Sequence, residues 1–425
     1  MVPIIYAFEE HINVLYSQVK ADVSGKGIFK GFAYEWRNEN VFHVYSQFPT
    51  VPPTGFPSMC FFSFLKPSED IMNASNSIEN LVSGYYDNKS QFAGSIVIVF
   101  FKFDGSSLAK RCFVKSERGI VEGKLHYIPA KSDLYSRSKG LLEVDTLSKK
   151  KIALVGLGSF GSTIAIEMAK AGIGNFKLFD FDRIELSNIA RHTCGVNDLG
   201  RLKTHAIRDS ILLKNPFANV STYEININDD LDIYEKAIQD ADLVLCLTDE
   251  NRSRSNINEI SLKQKKVTIF GRAITRAEGG DVFRLRPESG SPCLGCLLGK
   301  GLFNYKNEEI STLKQAGRDA PAYVSPEDQE AIVQVGLSSD IAPITNMMVK
   351  LSLVELSRGL NSGISSLEED LVADYYIWAN RRDKHYANWS KFEYQFNKPS
   401  ILRWYGARIT KNEKCMVCNT ENYLI

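Results

Sequence analysis

Hydrophobic and polar positions change rhythm near residue 130. Before it, strand-like runs dominate: Ser95–Phe103 is continuously apolar, and Asp104-Gly105 is a hairpin-type turn. The return begins at Lys110–Lys115, Ser116–Gly119 makes a second turn, and Ile120–Ile128 follows, which predicts an antiparallel meander. Upstream, Glu10–Asp22 carries helical spacing, and the prolines of 52–57 mark a loop. From Lys149 strand and helix alternate. Lys151–Gly156 predicts a buried strand, a glycine loop follows, then a helix over Ser162–Ala171 and a strand over Phe176–Phe179. Asp242–Leu247 and Lys266–Phe270 predict further buried strands. Asn346–Leu360 predicts a late helix ended by Gly363, and Asp374–Asn380 and Leu402–Ile409 return to strand patterning. Alternation of this kind, with strands apolar on both faces, predicts an α/β fold: a doubly wound, mostly parallel sheet with helices on both faces. The expected organisation is a smaller N-terminal α+β domain, 1–130, and a larger domain, 131–425.

Charge excludes some partners. Fifty-one Lys+Arg against 50 Asp+Glu leave a net +1, so no whole-chain field draws the protein to nucleic acid or an anionic membrane. The apolar run Ile96–Phe101 falls far short of the roughly 20 residues of a membrane span. The first residues carry Glu9 and Glu10 where a signal peptide has its basic region. A cytoplasmic enzyme-sized protein without nucleic-acid or membrane partners is the expectation.

Eight cysteines add chemistry. Four form the pairs Cys293-Leu294-Gly295-Cys296 and Cys415-Met416-Val417-Cys418, while Cys60, Cys112, Cys194 and Cys246 are scattered. Two residues between thiolates let one turn place both sulfurs on a tetrahedral ion, so Zn²⁺ is the first reading, with a redox motif or accidental pairs as alternatives. With all four positions filled by protein, such an ion would be a staple between mid-chain and C-terminus.

Gly156-Leu157-Gly158-Ser159-Phe160-Gly161 lies between a buried strand and an amphipathic helix, the setting of the Rossmann-like phosphate loop. Asp180 stands where a carboxylate accepts ribose hydroxyls. By itself this pattern suggests a dinucleotide oxidoreductase, but the neighbours do not. They are Asp180-Phe181-Asp182, Ser187-Asn188-Ile189-Ala190-Arg191, Gly200-Arg201-Leu202-Lys203 and Thr248-Asp249. With the glycine loop and the two cysteine pairs, they resemble the ubiquitin-activating superfamily of ThiF, MoeB and HesA, from about Tyr135 to Cys418.

That resemblance implies a ThiF-type adenylation domain, in which a C-terminal carboxylate attacks the α-phosphate of ATP and pyrophosphate leaves. It places Gly156, Gly158, Gly161, Asp180, Asp182 and Asn188 at the nucleotide, with Asp180 on the ribose and Asn188 orienting the triphosphate. Arg191 and Lys203 would cradle the triphosphate, and Asp249 would hold Mg²⁺. Leu134-Tyr135-Ser136-Arg137-Ser138 resembles the family's R-Y-S-R-Q helix start, whose second arginine reaches a partner's ATP site. Arg137 in that role implies a homodimer; the alternative is an exposed arginine. The implied substrate is a ubiquitin-like protein in a bacterial conjugation system of the antiphage-defence kind, with a conjugating-enzyme partner. Sulfur-carrier activation, adenylation of a peptide C-terminus and a non-catalytic scaffold are the rivals.

The pattern departs in places. Ser159 replaces a usual glycine, Glu250 replaces the asparagine of Thr-Asp-Asn, and Leu134 and Ser138 depart from the arginine motif, while Arg254 and Asn258 keep register. The crossover Gly299–Ser339 contains no cysteine, and its turn residues Gly317, Pro321 and Ser325-Pro326 suggest a cover over the product. The acyl group would then pass directly to an acceptor, or to Ser338 or Ser339 as an oxyester, or to Cys194. Residues 1–130 faintly resemble a JAB-type core. The isolated His11, His43 and His126 provide no H-x-H, so recruitment of substrate or conjugating partner is expected in place of metalloproteolysis.

Overall fold

The structure, a computed structural model, describes residues 2–21, 27–36, 39–53, 57–66, 69–71, 78, 95–104, 107–116, 119–128, 134–273, 277, 279–288, 290–298, 337–380 and 402–419. The chain divides into two compact units, Met1–Ser136 and Arg137–Ile425.

The first unit contains β1 (Ile4–Phe8), α1 (Glu9–Ala21), β2 (Gly27–Trp36), β3 (Val41–Tyr45), β4 (Ser58–Leu65), β5 (Ile96–Asp104), β6 (Ser107–Ser116) and β7 (Gly119–Ile128). Strands β5, β6 and β7 pair antiparallel as the expected meander, with residues 105–106 and 117–118 outside the described set. The unit is nevertheless a closed barrel in the order β1-β3-β2-β4-β5-β6-β7. Parallel pairs β1–β3, β1–β7 and β4–β5 complete it. Parallel partners need long crossovers and leave no local turn signal, so the pattern of residues shows the hairpins and hides the closure. Val97, Val99 and Phe101 join one core with Ile12, Leu15 and Val19 of α1, while Ile96, Ile98 and Phe100 join another. Burial on both faces is why β5 reads as an unbroken apolar run. His43 and His126 lie in register with Tyr6 on strands to either side of it, ring centroids 5.5 and 5.4 Å away.

In the second unit the order is β8 (Lys151–Val155), α2 (Ser159–Lys170), β9 (Asn175–Phe179), α3 (Lys203–Lys214), β10 (Asn219–Tyr223), α4 (Leu231–Ala237), β11 (Leu243–Cys246), α5 (Asn251–Lys263), β12 (Thr268–Ala273), β13 (Gly279–Leu285), α6 (Leu294–Leu298), α7 (Ser338–Leu356), β14 (Tyr375–Ala379) and β15 (Arg403–Ala407). The sheet runs β10-β9-β8-β11-β12-β13-β14-β15. Its first five strands are parallel and its last three antiparallel. Alternate residues of β8 serve opposite cores: Ile152 and Leu154 pack with Ile164 and Met168 of α2 and Met348 and Leu351 of α7, while Ala153 and Val155 pack with Tyr234 of α4 and Ile257 of α5. Each such buried aliphatic side chain contributes about 1.5–3 kcal/mol.

Two helices and one strand of this unit depart from the sequence pattern in ways that bear on the site. Helix α2 begins at Ser159 because Gly158 is its N-cap, so the loop enters the helix without a spacer. Helix α7 begins at Ser338 and ends at Leu356, and Gly359, at φ +77°, turns the chain; Gly363 instead opens a short 3-10 turn. Strand β13 went unread because Asp281 and Arg284 interrupt its apolar pattern; both are buried in ion pairs, with Arg272 and Glu355. Most of the crossover segment, 299–336, lies outside the described residues. Among the described residues no helix is long and apolar enough to cross a membrane.

Candidate nucleotide site and cysteine cluster

The strand order reverses between β8 and β11, so the loops at their carboxyl ends diverge to opposite faces and leave a crevice, the place where open α/β sheets bind ligands. The glycine loop leaves β8 there and Thr248-Asp249-Glu250 leaves β11. Its three glycines answer three different constraints. Gly156 sits at φ +92°, and a Cβ on it would lie 3.0 Å from the Leu247 carbonyl. On Gly161 a Cβ would approach the Gly156 oxygen to 2.0 Å, so loop and helix close only without a side chain. Around Gly158 a Cβ would meet nothing within 4 Å, which is the space a phosphate needs at the first turn of α2.

Asp180, at the end of β9, is 9% exposed. Its carboxylate accepts the Leu157 N–H at 2.6 Å and the Asp182 N–H at 2.8 Å, tying the glycine loop to the second strand. Burial raises its pKa, against the opposing pull of Lys203 and the two N–H donors. Lys203 is the first residue of α3, only 8% exposed, and its Nζ lies 2.7 Å from Asp182 Oδ2. An ammonium held at the crevice by one exposed carboxylate is poised to exchange that partner for a phosphate oxygen.

The next turn is built from its own side chains. Asn188 Oδ1 accepts the Glu185 N–H at 3.1 Å, and its amide nitrogen donates to Ser187 Oγ at 3.5 Å. Ser159 Oγ donates to the Arg191 carbonyl at 2.9 Å. His192 Nδ1 accepts the Cys194 N–H at 3.1 Å, which assigns the proton to Nε2, the donor to the Leu157 carbonyl at 2.8 Å. Sequence reasoning missed His192, since one histidine beside a motif carries no periodic or spacing signal. Cys194 is buried, and burial first, then Asp198, pushes its thiol up to about 11.

On the β11 side Asp249 is exposed. Arg254, buried at 7% exposure, donates to the Thr248 carbonyl at 2.6 Å, and the Thr248 and Ser253 hydroxyls lie 2.7 Å apart. The loop bearing Asp249 is thus held by the first turn of α5. Glu250, the departure from the family pattern, accepts the Asn228 amide at 2.7 Å and so engages the loop after β10. Beneath this edge Arg272 and Asp281 form a buried fork at 2.9 and 3.0 Å, and Tyr375 donates to the same carboxylate at 2.7 Å. These three lie on separate strands, so no local motif announces them.

Other expected residues lie as follows. Arg137 is exposed on the 3-10 turn Ser136–Ser138. Ser338 and Ser339 occupy the exposed first turn of α7. That helix places Ile344 where a Cβ on Gly280 would touch it, and Gly280 pairs with Ala273, the last residue of β12. Its N-terminus therefore points past the carboxyl edge of the sheet.

The four paired cysteines are buried and their sulfurs all lie within 4.8 Å of one another, with separations of 3.9 Å for Cys293–Cys296 and 3.6 Å for Cys293–Cys415 and Cys296–Cys418. Four thiolates about 2.3 Å from a tetrahedral ion stand about 3.8 Å apart, so the arrangement fits one Zn²⁺. Asn258 of α5 accepts the Leu294 N–H at 3.0 Å, and the Asn412 N–H points to Cys296 Sγ at 3.4 Å, the outer contacts that orient metal ligands.

Comparison with known proteins gives a consistent set. Residues 134–387, more than half the chain, match the model of the ThiF family. Ubiquitin-like modifier-activating enzyme 5 of Caenorhabditis briggsae is 27% identical over 201 residues, 44% of this chain and 46% of that protein. The molybdopterin-synthase adenylyltransferase of Escherichia coli K12 is 33% identical over 180 residues, 42% of this chain and 68% of that protein. The chain thus spans less than half the length of the worm relative. E. coli MccB, solved with AMPCPP and MccA, is 20% identical, with 68% of this chain and 75% of that one covered, at a TM-score of 0.47.

Proposed function

Since the chain belongs to the ThiF family, we propose that it adenylates the C-terminal carboxylate of a protein substrate with ATP, and that this substrate is a ubiquitin-like protein of a bacterial conjugation pathway. The observation that carries the reading is the convergence of Asp180, Lys203 and the open Gly158 backbone on the switch-point crevice. In the reaction a carboxylate oxygen attacks the α-phosphorus, the bond to the bridging oxygen of the β-phosphate breaks, and pyrophosphate leaves. Both reactants are anions, so positive charge fixed beforehand lowers the barrier. Lys203 and Arg191 supply it, the α2 N-terminus adds backbone donors, and Asp180 holds the ribose. Mg²⁺, carried by Asp249, would neutralise phosphate charge. Zn²⁺ on the four cysteines would fasten the C-terminal segment to α6 and take no part in the chemistry.

Cys194 is the weakest of the acyl acceptors, because a thiol pushed up to about 11 holds its proton at neutral pH. Ser338 and Ser339, facing the carboxyl edge, are the better positioned. We further infer a homodimer in which Arg137 serves the partner's site. Mixing inactive Arg137→Ala and Asp249→Ala chains should recover activity, and no recovery refutes the sharing. The 33% identical molybdopterin-synthase adenylyltransferase favours a second reading, a sulfur-carrier substrate. The barrel of the first unit favours the first reading, as a recruiting module for substrate or a conjugating partner. Deleting it should weaken protein-substrate binding more than ATP binding; the reverse result removes that role.

ATP–pyrophosphate exchange tests the whole reading, using wild type and Asp249→Ala with small glycine-ending proteins encoded beside the gene. Exchange that requires both the small protein and Asp249 supports it and identifies the substrate. A folded chain that neither exchanges pyrophosphate nor binds ATP in calorimetry leaves a scaffold.

A further inference from the structure

Arg191 can act on a triphosphate only if its backbone is fixed relative to the glycine loop, because both must meet the same anion. Three hydrogen bonds join the two segments: Ser159 Oγ to the Arg191 carbonyl at 2.9 Å, His192 Nε2 to the Leu157 carbonyl at 2.8 Å, and the Thr193 N–H to Ser162 Oγ at 3.4 Å. Ser159 stands where the family resemblance expects glycine, so this chain has a bond there that a glycine loop lacks. Leu157 in turn gives its N–H to Asp180, so the strap continues to the ribose carboxylate.

We propose that Ser159 and a neutral His192 are positioning residues for Arg191, strapping Arg191–Cys194 to the glycine loop so that the guanidinium meets the phosphates in register. The proposal rests on the nucleotide reading above. The imidazole must be neutral, because Nδ1 accepts the Cys194 N–H, and a proton there would set two donors face to face. The surroundings favour that state. Burial lowers the pKa of His192 below its ordinary value and Lys203 of α3 adds to the effect, while the Leu157 carbonyl and Asp198 of the turn Val196–Asp198 oppose it. Asp180 faces the same loop through the Leu157 N–H. Acidification below the ordinary histidine range of about 6.5 should therefore break the strap, and alkaline pH should not.

The test is pyrophosphate exchange by the full chain across about pH 5 to 8. Ser159→Ala should lower kcat about fivefold to tenfold, the worth of one well-placed hydrogen bond, while KM for ATP moves less than about twofold. His192→Ala should lower kcat at least as much. His192→Gln, which can donate and accept at similar positions, should recover most of the rate at neutral pH and lose the acid limb. Combined with Arg191→Ala, Ser159→Ala should cost nothing further, which a general loss of stability would not reproduce. Wild-type kcat in both alanine variants, or an unchanged acid limb in His192→Gln, overturns the proposal. Amide hydrogen exchange of 191–194 decides the strap independently: protection should fall about tenfold in Ser159→Ala and His192→Ala, and unchanged protection refutes it. If wild type shows no pyrophosphate exchange, the functional reading falls, and hydrogen exchange still rules on the strap.

Discussion

Asp180 carries two burdens at one position. It is buried, which disfavours its charge, and it accepts two backbone N–H bonds, which favour it; burial is the larger effect and its pKa is raised. A folded-state pKa above the unfolded value near 3.9 means that this carboxyl's contribution to stability is fullest below the unfolded value and declines as pH rises through the raised folded-state one. Asp180→Asn should remove this slope, visible in denaturant melts as pH rises above the ordinary aspartate value of about 3.9. An asparagine has one acceptor oxygen for two donors, so either Leu157 or Asp182 loses its partner. ATP affinity should fall about tenfold or more in calorimetry, at one lost charged hydrogen bond of about 1.5–3 kcal/mol. Affinity within twofold of wild type would show that the ribose is held elsewhere. Asp180 and Lys203 were legible in the chain because motif spacing names them. His192 and Asn228 were not, because their roles exist only through partners 35 and 22 residues away.

At the scale of the element, the glycine loop separates sterics from ligand space. Gly156→Ala places a side chain at φ +92° and should cost about 1–3 kcal/mol, lowering Tm by several degrees. Gly161→Ala forces a 2.0 Å approach to backbone and should be worse. Gly158→Ala meets nothing within 4 Å, so its melt should match wild type while its ATP affinity falls about tenfold, because the methyl occupies the phosphate's approach. Thermal melts and calorimetry on all three variants check the pattern. Wild-type ATP affinity in Gly158→Ala would move the phosphate site off this loop. The boundaries of α7 teach the complementary lesson. Pro343 breaks the apparent helical pattern near its start, yet in the helix it removes only the bond to the Ser339 carbonyl, a cost that packing of Ile344 and Met348 outweighs.

At the scale of the whole molecule, the cysteine cluster joins segments 122 residues apart. The purified chain should carry one Zn²⁺ by mass spectrometry, and removing it with a chelator, or making Cys418→Ser, should lower Tm by several degrees, because metal binding free energy enters folding directly. Nucleotide affinity measured well below the melt should persist. A metal-free chain whose melting ignores chelators would refute the zinc staple, and persistent stability in Cys418→Ser would show that packing around Gly295 and Val417 suffices.

Local rhythm and ordered motifs determined the α/β class, the parallel strands β8, β9, β11 and β12, the hairpins β5 to β7 and the glycine loop between strand and helix, because each of these is written in contacts within a few residues or in a fixed spacing. Tertiary structure alone decided the barrel closure, the strand β13 with its buried Asp281 and Arg284, the 3.6–3.9 Å cysteine spacing and the strap through His192. The physical reason is common to them. Parallel pairing, buried ion pairs, a shared cysteine cluster and carbonyl-to-imidazole bonds join residues remote in the chain, and their energies appear only once the sheet has brought the partners together.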